Sequence, residues 1–244
     1  MILELAGFGI ITGFISGFFG VGGGMILVPI LLLVGYVMKE AVAISIMQMV
    51  FSSIYGSFLN SKYAQNVVKD GIVIGAGGFV GGLQSGYIVT NVSNEFLQYL
   101  FIAILIFSIL RIFYSPAIHD CERKEHSKVT LFLIGSFIGI IAMSIGVGGS
   151  ILLTPILVGF MKYDLKSATA LGLFFVIFSS IAGFVSISMH GQMLYLEGAV
   201  VGMASLVGVY FGIKIKHLVQ ATSYKKYILI LNVIILIAML YKTI

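Results

Sequence analysis

Long stretches without a single charged side chain are the feature that most limits how this chain can fold. Residues 5–35 contain no charged residue, and seven further apolar runs follow. Most of these runs are close to the ~20 residues that one helix needs to cross a lipid bilayer. The pattern predicts an all-α, polytopic membrane protein. The further runs cover approximately residues 41–59, 71–89, 96–114, 129–161, 167–188, 194–213 and 227–241.

The composition supports the same class. Of the 244 residues, 59% are hydrophobic and only 9% are charged, whereas a soluble domain has about 25% charged residues. This balance excludes a water-soluble enzyme, a nucleic-acid-binding domain and a disordered linker. The net charge of +5 does not indicate a nucleic-acid partner, because the basic residues stand singly at the ends of apolar runs. The single cysteine, Cys121, excludes an internal disulfide framework and a cysteine metal cage.

The chain contains an internal repeat. Residues 20–31 (GVGGGMILVPIL) and 146–157 (GVGGSILLTPIL) are identical at eight of twelve positions, and further matches follow in the same order. Such an ordered series indicates that each half is one structural unit. The sequence therefore predicts a first membrane repeat at 1–116, a polar linker at 117–128 and a second membrane repeat at 129–244.

The first long run exceeds the length of one crossing helix. As a single helix its 31 residues would extend about 46 Å, well beyond a ~30 Å hydrocarbon core. Glycine accepts backbone angles that end a helix, and proline lacks an amide hydrogen. We therefore predict two shorter helical pieces in each repeat, joined at the glycines, with Pro29 and Pro155 as further helix breaks.

The distribution of lysine and arginine predicts the topology. If each broken segment enters the bilayer and returns on the same side, twelve of the 14 basic residues lie on one side, and only Lys39 and Lys242 lie on the other. Such an asymmetry is typical of cytoplasmic loops. Each repeat is then a broken-helix hairpin plus three transmembrane helices, and the second repeat is inverted relative to the first. In the cytoplasmic (inner) membrane, the linker is predicted inside and both termini outside.

The glycine clusters are predicted to bind a small anion. In each repeat a helix is expected to restart near Gly24 or Ser150, and the first amide groups of a helix favour anions because they are unpaired and partly positive. In inverted repeats the two helix breaks can meet in mid-membrane. Alternatively, the glycines only let helices pack closely. The predicted substrate-binding residues of the clusters are Gly20, Val21, Gly22, Gly23, Gly24, Gly146, Val147, Gly148, Gly149, Ser150 and Thr154.

Polar side chains on the next helix of each repeat are predicted to line the pathway. Ser45, Gln48 and Ser52 share one side of a helix, and Ser179 is the counterpart of Ser52. A side-chain amide in hydrocarbon is costly unless it faces protein, water or substrate. For the serines, the alternative is that they hold neighbouring helices together. No ionisable residue falls in the middle of a predicted span, so neither a proton relay nor a metal or cofactor site is predicted.

The doubled pattern resembles the sulfite exporter TauE/SafE family of membrane permeases. The resemblance rests on GFISGFFGVGGGMILVPIL and IGIIAMSIGVGGSILLTPIL, each followed by Lys-x-Ala (Lys39-Glu40-Ala41 and Lys166-Ser167-Ala168). It implies transport of sulfite, sulfoacetate or related organosulfonates across the bacterial cytoplasmic membrane. Family members often show Thr-Ser after the short loop, where this chain has Ile44-Ser45 and Leu171-Gly172.

The sequence thus predicts a membrane transporter that moves a small anion by alternating access of the two inverted repeats. The anion and the lipid bilayer are the predicted partners, and a homo-oligomer is left open. An anion channel of the same fold is the main alternative. A membrane-embedded enzyme would need a cluster of His, Asp, Glu or Cys at bilayer depth, and a structural subunit would not transport alone.

Overall fold

The computed structural model of the protein describes residues 2–20, 22–60, 68–114, 127–163, 165–216 and 221–243. Val21 and residues 117–126 of the predicted linker lie outside these ranges. The regular elements of the described part are all α-helices. They are α1 (Ile2–Phe19), α2 (Gly24–Val34), α3 (Met38–Asn60), α4 (Val68–Gly82), α5 (Ser85–Asn91), α6 (Asn94–Tyr114), α7 (Lys128–Ser144), α8 (Ser150–Gly159), α9 (Leu165–Met189), α10 (Tyr195–Lys216) and α11 (Ala221–Thr243).

The helices are those of a multi-pass membrane protein, as the sequence predicts. Leu3, Phe58 and Phe113 are each more than half exposed, which suits side chains that face lipid. Within the described ranges, six stretches are long and apolar enough to cross a membrane. They are Ile2–Phe19, Met38–Leu59, Lys69–Asn91, Asn94–Phe113, Tyr195–Lys216 and Lys226–Thr243.

Both glycine-rich runs are divided into two helices, as predicted. The first helix of each pair ends at Phe19 or Ser144, and the second begins at Gly24 or Ser150. We call the connecting residues 20–23 and 145–149 the two glycine turns. Five glycines in the turns have positive φ angles, which residues other than glycine rarely adopt. They are Gly20 (67°), Gly22 (72°), Gly146 (70°), Gly148 (83°) and Gly149 (72°).

The prolines do not break the helices, so the prediction of helix breaks at Pro29 and Pro155 is wrong. Helix α2 continues from Gly24 to Val34 through Pro29, and α8 continues through Pro155. A proline removes one backbone hydrogen bond from a helix, but neighbouring helices in a membrane protein can satisfy the freed carbonyl. Each long apolar run is therefore interrupted at its glycine turn and not at its proline.

The apolar run at 71–89, expected to be one helix, is two. Helices α4 and α5 are separated at Leu83 and Gln84. Ser186 of α9 bridges this break, because its hydroxyl donates to the Leu83 carbonyl (2.6 Å) and accepts from the Gly86 amide (2.9 Å). The break thus depends on a polar residue of the other half of the chain.

Helices α1 and α10 run in the same direction and touch through glycine. Gly9 lies against the backbone of Val201, and Gly17 lies against the backbone of Val209. A Cβ atom at either glycine would meet these backbone atoms, so only glycine allows the helices to approach this closely. Contacts with increasing residue numbers on both helices require a parallel arrangement.

The counterparts of this pair, α4 and α7, pack in the same way. Gly77 lies against Phe132, and Gly81 lies against Ser136, again through the backbone and with numbers increasing together. Each parallel pair joins one helix from the first half to one from the second. The two halves are therefore interleaved rather than side by side.

The remaining contacts give the directions of the central helices. Helix α3 runs parallel to α10, since Met47 faces Gly198 and Phe51 faces Gly202. Helix α4 runs parallel to α9, since Gly71 faces Phe174 and Gly75 faces Phe178.

Helices α3 and α9 are antiparallel at the centre. Ile46 lies near Gly183, while Met49 and Val176 both lie near Gly22. Along this interface the residue numbers of α3 therefore increase while those of α9 decrease. It follows that α1, α3 and α10 run one way, and that α4, α7 and α9 run the other way. Helices α1 and α3 accordingly begin on the same side, and α2 returns between them.

Candidate functional site

The two glycine turns meet in the interior of the protein. A Cβ atom added to Gly22 would lie 3.6 Å from the Cα atom of Gly148, and Gly24 lies against the carbonyl of Gly146. The described residues of both turns are buried. The predicted partners Gly22 and Gly148, 126 residues apart in the chain, are thus brought into contact away from lipid.

Two helix N-termini converge where the turns meet. Helix α2 begins at Gly24 and α8 at Ser150, and neither N-cap glycine (Gly23 or Gly149) supplies a side chain to cap the first amides. The first amides of a helix carry partial positive charge and favour an anion. In the described part of the chain no fully buried side chain is Asp, Glu, Lys or Arg. No buried carboxylate therefore opposes an anion at this point.

The side chain of Gln48 lies directly against one of these N-termini. It is fully buried, and its amide packs on the backbone of Gly23. Among the described residues, neither its Nε2 nor its Oε1 atom has a hydrogen-bond partner. An unpaired buried polar group costs about 1–3 kcal/mol of folding free energy. Hydrogen bonds from a bound ligand to the Gln48 amide would offset this cost.

The second half replaces this amide with an aromatic ring. Phe175, the counterpart of Gln48, packs against Gly149 as Gln48 packs against Gly23. Phe175 is also fully buried. The two turns therefore share their backbone geometry but differ in polarity, and only the first offers a side-chain amide.

The predicted serines divide into two groups. The Ser45 hydroxyl lies 3.0 Å from the carbonyl oxygen of Gly146 and 2.9 Å from that of Val42, so it links α3 to the turn of the other half. The hydroxyls of Ser52 and Ser179 donate to carbonyls of their own helices, at 3.4 Å and 2.8 Å. These bonds satisfy both hydroxyls within their own helices, and they neither join a neighbouring helix nor point to a ligand.

Ser150 and Thr154 line a cavity beside the start of α8. The space that water molecules can occupy there measures about 30 Å³, and one water needs about 10–15 Å³ by the same measure. The Ser150 hydroxyl is buried and has no hydrogen-bond partner among the described residues. Gly172, the counterpart of Ser45, leaves room for it, since the Ser150 side chain packs on this glycine.

Asn232 of α11 lines the same cavity and was missed at the level of sequence. It is fully buried, and within the described ranges neither its Nδ2 nor its Oδ1 atom is hydrogen-bonded. The signal was present, because Asn232 is an amide in the middle of the apolar run 227–241.

Of the other predicted residues, Val147 is buried in its turn, and its amide donates to the Ala142 carbonyl (3.0 Å). The Gly20 amide donates to the Ser16 carbonyl at the end of α1 (2.7 Å). Over the part of the chain that the structure covers, no three His, Cys, Asp or Glu side chains come together as they would to hold a metal ion.

These features define a class: an all-α, multi-pass membrane protein with two broken helices in contact at its centre. The family profile described as sulfite exporter TauE/SafE matches residues 5–239. The chain belongs to this family, as its glycine motifs indicate.

Relatives from three organisms are similar to most of the chain. A probable membrane transporter protein of Methanocaldococcus jannaschii is 30% identical over 73% of this chain and 69% of its own length. The probable membrane transporter protein YunE of Bacillus subtilis is 24% identical over 94% and 92%. A probable membrane transporter protein of Haemophilus influenzae is 24% identical over 96% and 92%. No solved structure matches the chain.

Proposed function

We propose that this protein carries a small anion, sulfite or an organosulfonate, across the cytoplasmic membrane by alternating access. The observation that carries the proposal is the contact between Gly22 and Gly148, at which two helix N-termini without side-chain caps converge. Backbone amides from both halves then surround one buried position with partial positive charge. The family name supports sulfite as the substrate, and the names of the relatives support membrane transport.

The helix directions support an inverted relation between the halves. Helices α1 and α7 are counterparts in the repeat and run in opposite directions, as inverted repeats require. A site between such halves is exposed to one side or the other when the halves rock against each other. In this proposal, the rocking motion exposes the paired glycine turns, and the anion bound there, to one side of the membrane and then to the other.

Reconstitution of purified protein into proteoliposomes tests the transport activity. We expect uptake of radiolabelled sulfite, and we expect Gln48→Leu to lower it roughly tenfold because a ligand would lose one hydrogen bond in a buried site. Ser205→Ala is the matched control, since Ser205 is equally buried but donates to the Gly202 carbonyl of its own helix. Absence of sulfite and organosulfonate flux in the unaltered protein would contradict the proposed substrates, and single-channel conductance would identify a channel instead.

Cysteine labelling tests the proposed orientation. Cys121 is the single cysteine and belongs to the predicted cytoplasmic linker. We expect it to resist a membrane-impermeant maleimide in intact cells and to react after the cells are opened. With Cys121→Ala as background, Lys242→Cys is expected to react in intact cells, because the C-terminus is proposed to lie outside. Protection of position 242 until lysis would overturn the orientation.

A further inference from the structure

Asn232 is a fully buried polar residue that the proposed transport site does not include. Its amide is fully buried and lines the cavity that begins at Ser150, the first residue of α8. In the ranges that the structure describes, both of its polar atoms and the Ser150 hydroxyl are without hydrogen-bond partners. Three unpaired polar atoms at one cavity are costly unless a ligand satisfies them.

The cavity lies between the glycine turns and the side from which the linker departs. It is lined by Ile112, close to the end of α6, and by Ile228, close to the start of α11. Phe19 and Met25, which flank the first glycine turn, form its inner wall. An ion moving between the turns and the linker side would therefore pass through it.

The chemistry of the lining favours a particular class of ion. The described residues that line the cavity are apolar or neutral, so no full positive charge lines it, and the N-terminus of α8 supplies a partial one. The guanidinium of Arg111 on α6 lies at the opposite end of α8, 4.3 Å from the ring centroid of Phe160. A partial charge from one helix suits a singly charged anion better than a doubly charged one.

The amide of Asn232 further limits which anions the cavity can bind. Its Nδ2 atom donates hydrogen bonds, whereas its Oδ1 atom accepts hydrogen bonds and cannot donate them. An oxoanion that still carries one hydroxyl offers both an accepting oxygen and a donating hydrogen. Ser150 and Thr154 can each donate to the remaining oxygens, and their counterparts in the first half, Gly24 and Val28, have no hydroxyl. The first half therefore lacks an equivalent set of hydroxyls.

We propose that Asn232, with Ser150 and Thr154, binds a hydroxyl-bearing monoanionic oxoanion such as bisulfite and selects it over dianions. This inference rests on the proposed function, because the ion bound here is the one carried past the glycine turns. Asn232 is then a specificity-determining residue on the last helix of the chain.

Binding to the full-length protein in detergent tests the inference at a mildly acidic pH, at which sulfite is mainly bisulfite. The probes are sodium sulfite, sodium methanesulfonate and sodium sulfate, measured by calorimetry and thermal shift. We expect affinity to fall in that order, because methanesulfonate lacks the hydroxyl and sulfate is a dianion. Asn232→Leu is expected to lower the affinity for bisulfite roughly tenfold or more and to remove the preference for bisulfite over methanesulfonate. The melting temperature of this variant without ligand is expected to be unchanged or higher.

Two further variants separate a ligand role from a structural one. Asn232→Asp keeps the size of the side chain but replaces the donating amide group with an oxygen, and its ionised form would repel an anion, so it is expected to weaken anion binding. The control Ser205→Ala is expected to change binding by less than about twofold, because it lies on another helix and its loss affects no group at the cavity. A thermal shift of the unaltered protein that depends on the sodium concentration and not on the anion would show a cation site and overturn the inference.

The outcomes distinguish the two proposals. If the unaltered protein binds none of the three anions, the proposed anion transport fails together with the inference. If it binds bisulfite and Asn232→Leu binds it equally well, only the inference fails. Equal affinities of the unaltered protein for bisulfite and sulfate would also refute the selection of monoanions.

Discussion

Replacement of Gly22 or Gly148 by leucine is expected to abolish transport while the protein still inserts into the membrane. Each glycine has a positive φ angle, and a Cβ atom at Gly22 would stand 3.6 Å from Gly148. A leucine side chain would therefore occupy the position at which the two helix N-termini converge. We therefore expect sulfite flux in proteoliposomes to fall nearly to that of protein-free vesicles.

Gly35→Leu is the matched control for this experiment. Gly35 also has a positive φ angle (110°), at the end of α2, but no other group lies within 4 Å of its Cβ position. All three substitutions place a side chain at a positive φ angle, but a Cβ atom at Gly22 meets Gly148 of the other turn, whereas one at Gly35 meets no other group. Normal flux with either of the latter would refute the site, and equal loss with Gly35→Leu would attribute the effect to strain.

The largest effect on stability is expected at the interface of α1 and α10. At Gly13 a Cβ atom would lie 2.7 Å from the Cα atom of Ser205, and backbone atoms cannot move aside as a flexible side chain can. Gly13→Val is therefore expected to force the helices apart and to cost about 3 kcal/mol or more. Thermal unfolding of the detergent-solubilised protein measures the change.

Gly7→Val on the same helix controls for the change in helix propensity. Gly7 has no atom within 4 Å of its Cβ position, so its replacement is expected to leave the melting temperature nearly unchanged. Gly81→Val, which meets the backbone of Ser136 in the equivalent pair α4 and α7, is expected to destabilise as Gly13→Val does. Equal melting temperatures for the Gly13→Val and Gly7→Val variants would show that the close contact between α1 and α10 does not depend on Gly13.

Local features of the structure could be predicted because they follow from local chemistry. The helix restarts at Gly24 and Ser150 agree with the positions of the glycine clusters, since glycine reaches positive φ angles without steric cost. The breaks expected at Pro29 and Pro155 are absent, because the effect of a proline depends on what surrounds the helix. The break between α4 and α5 was not predicted either, because Ser186, which stabilises it, is 100 residues from Gly86.

The candidate site shows the same division between local and long-range features. Gln48 was expected in the pathway as an amide in an apolar helix, and the structure sets it against Gly23. Asn232 stands out as an amide within an apolar run, but the cavity that it lines is formed with four other segments, which the run itself does not reveal. The Ser45 hydroxyl likewise reaches the carbonyl of Gly146, 101 residues away, whereas those of Ser52 and Ser179 bond within their own helices.

The sequence alone determined that the chain is an all-α membrane protein, that it is repeated, and that each repeat contains a helix interrupted by glycine. These properties depend on hydrophobicity and backbone preference, which each residue carries with it. Only the tertiary structure decided that Gly22 meets Gly148 and that Asn232 faces Ser150 across a cavity. Such contacts depend on how helices pack, and packing is a property of all the neighbouring side chains together.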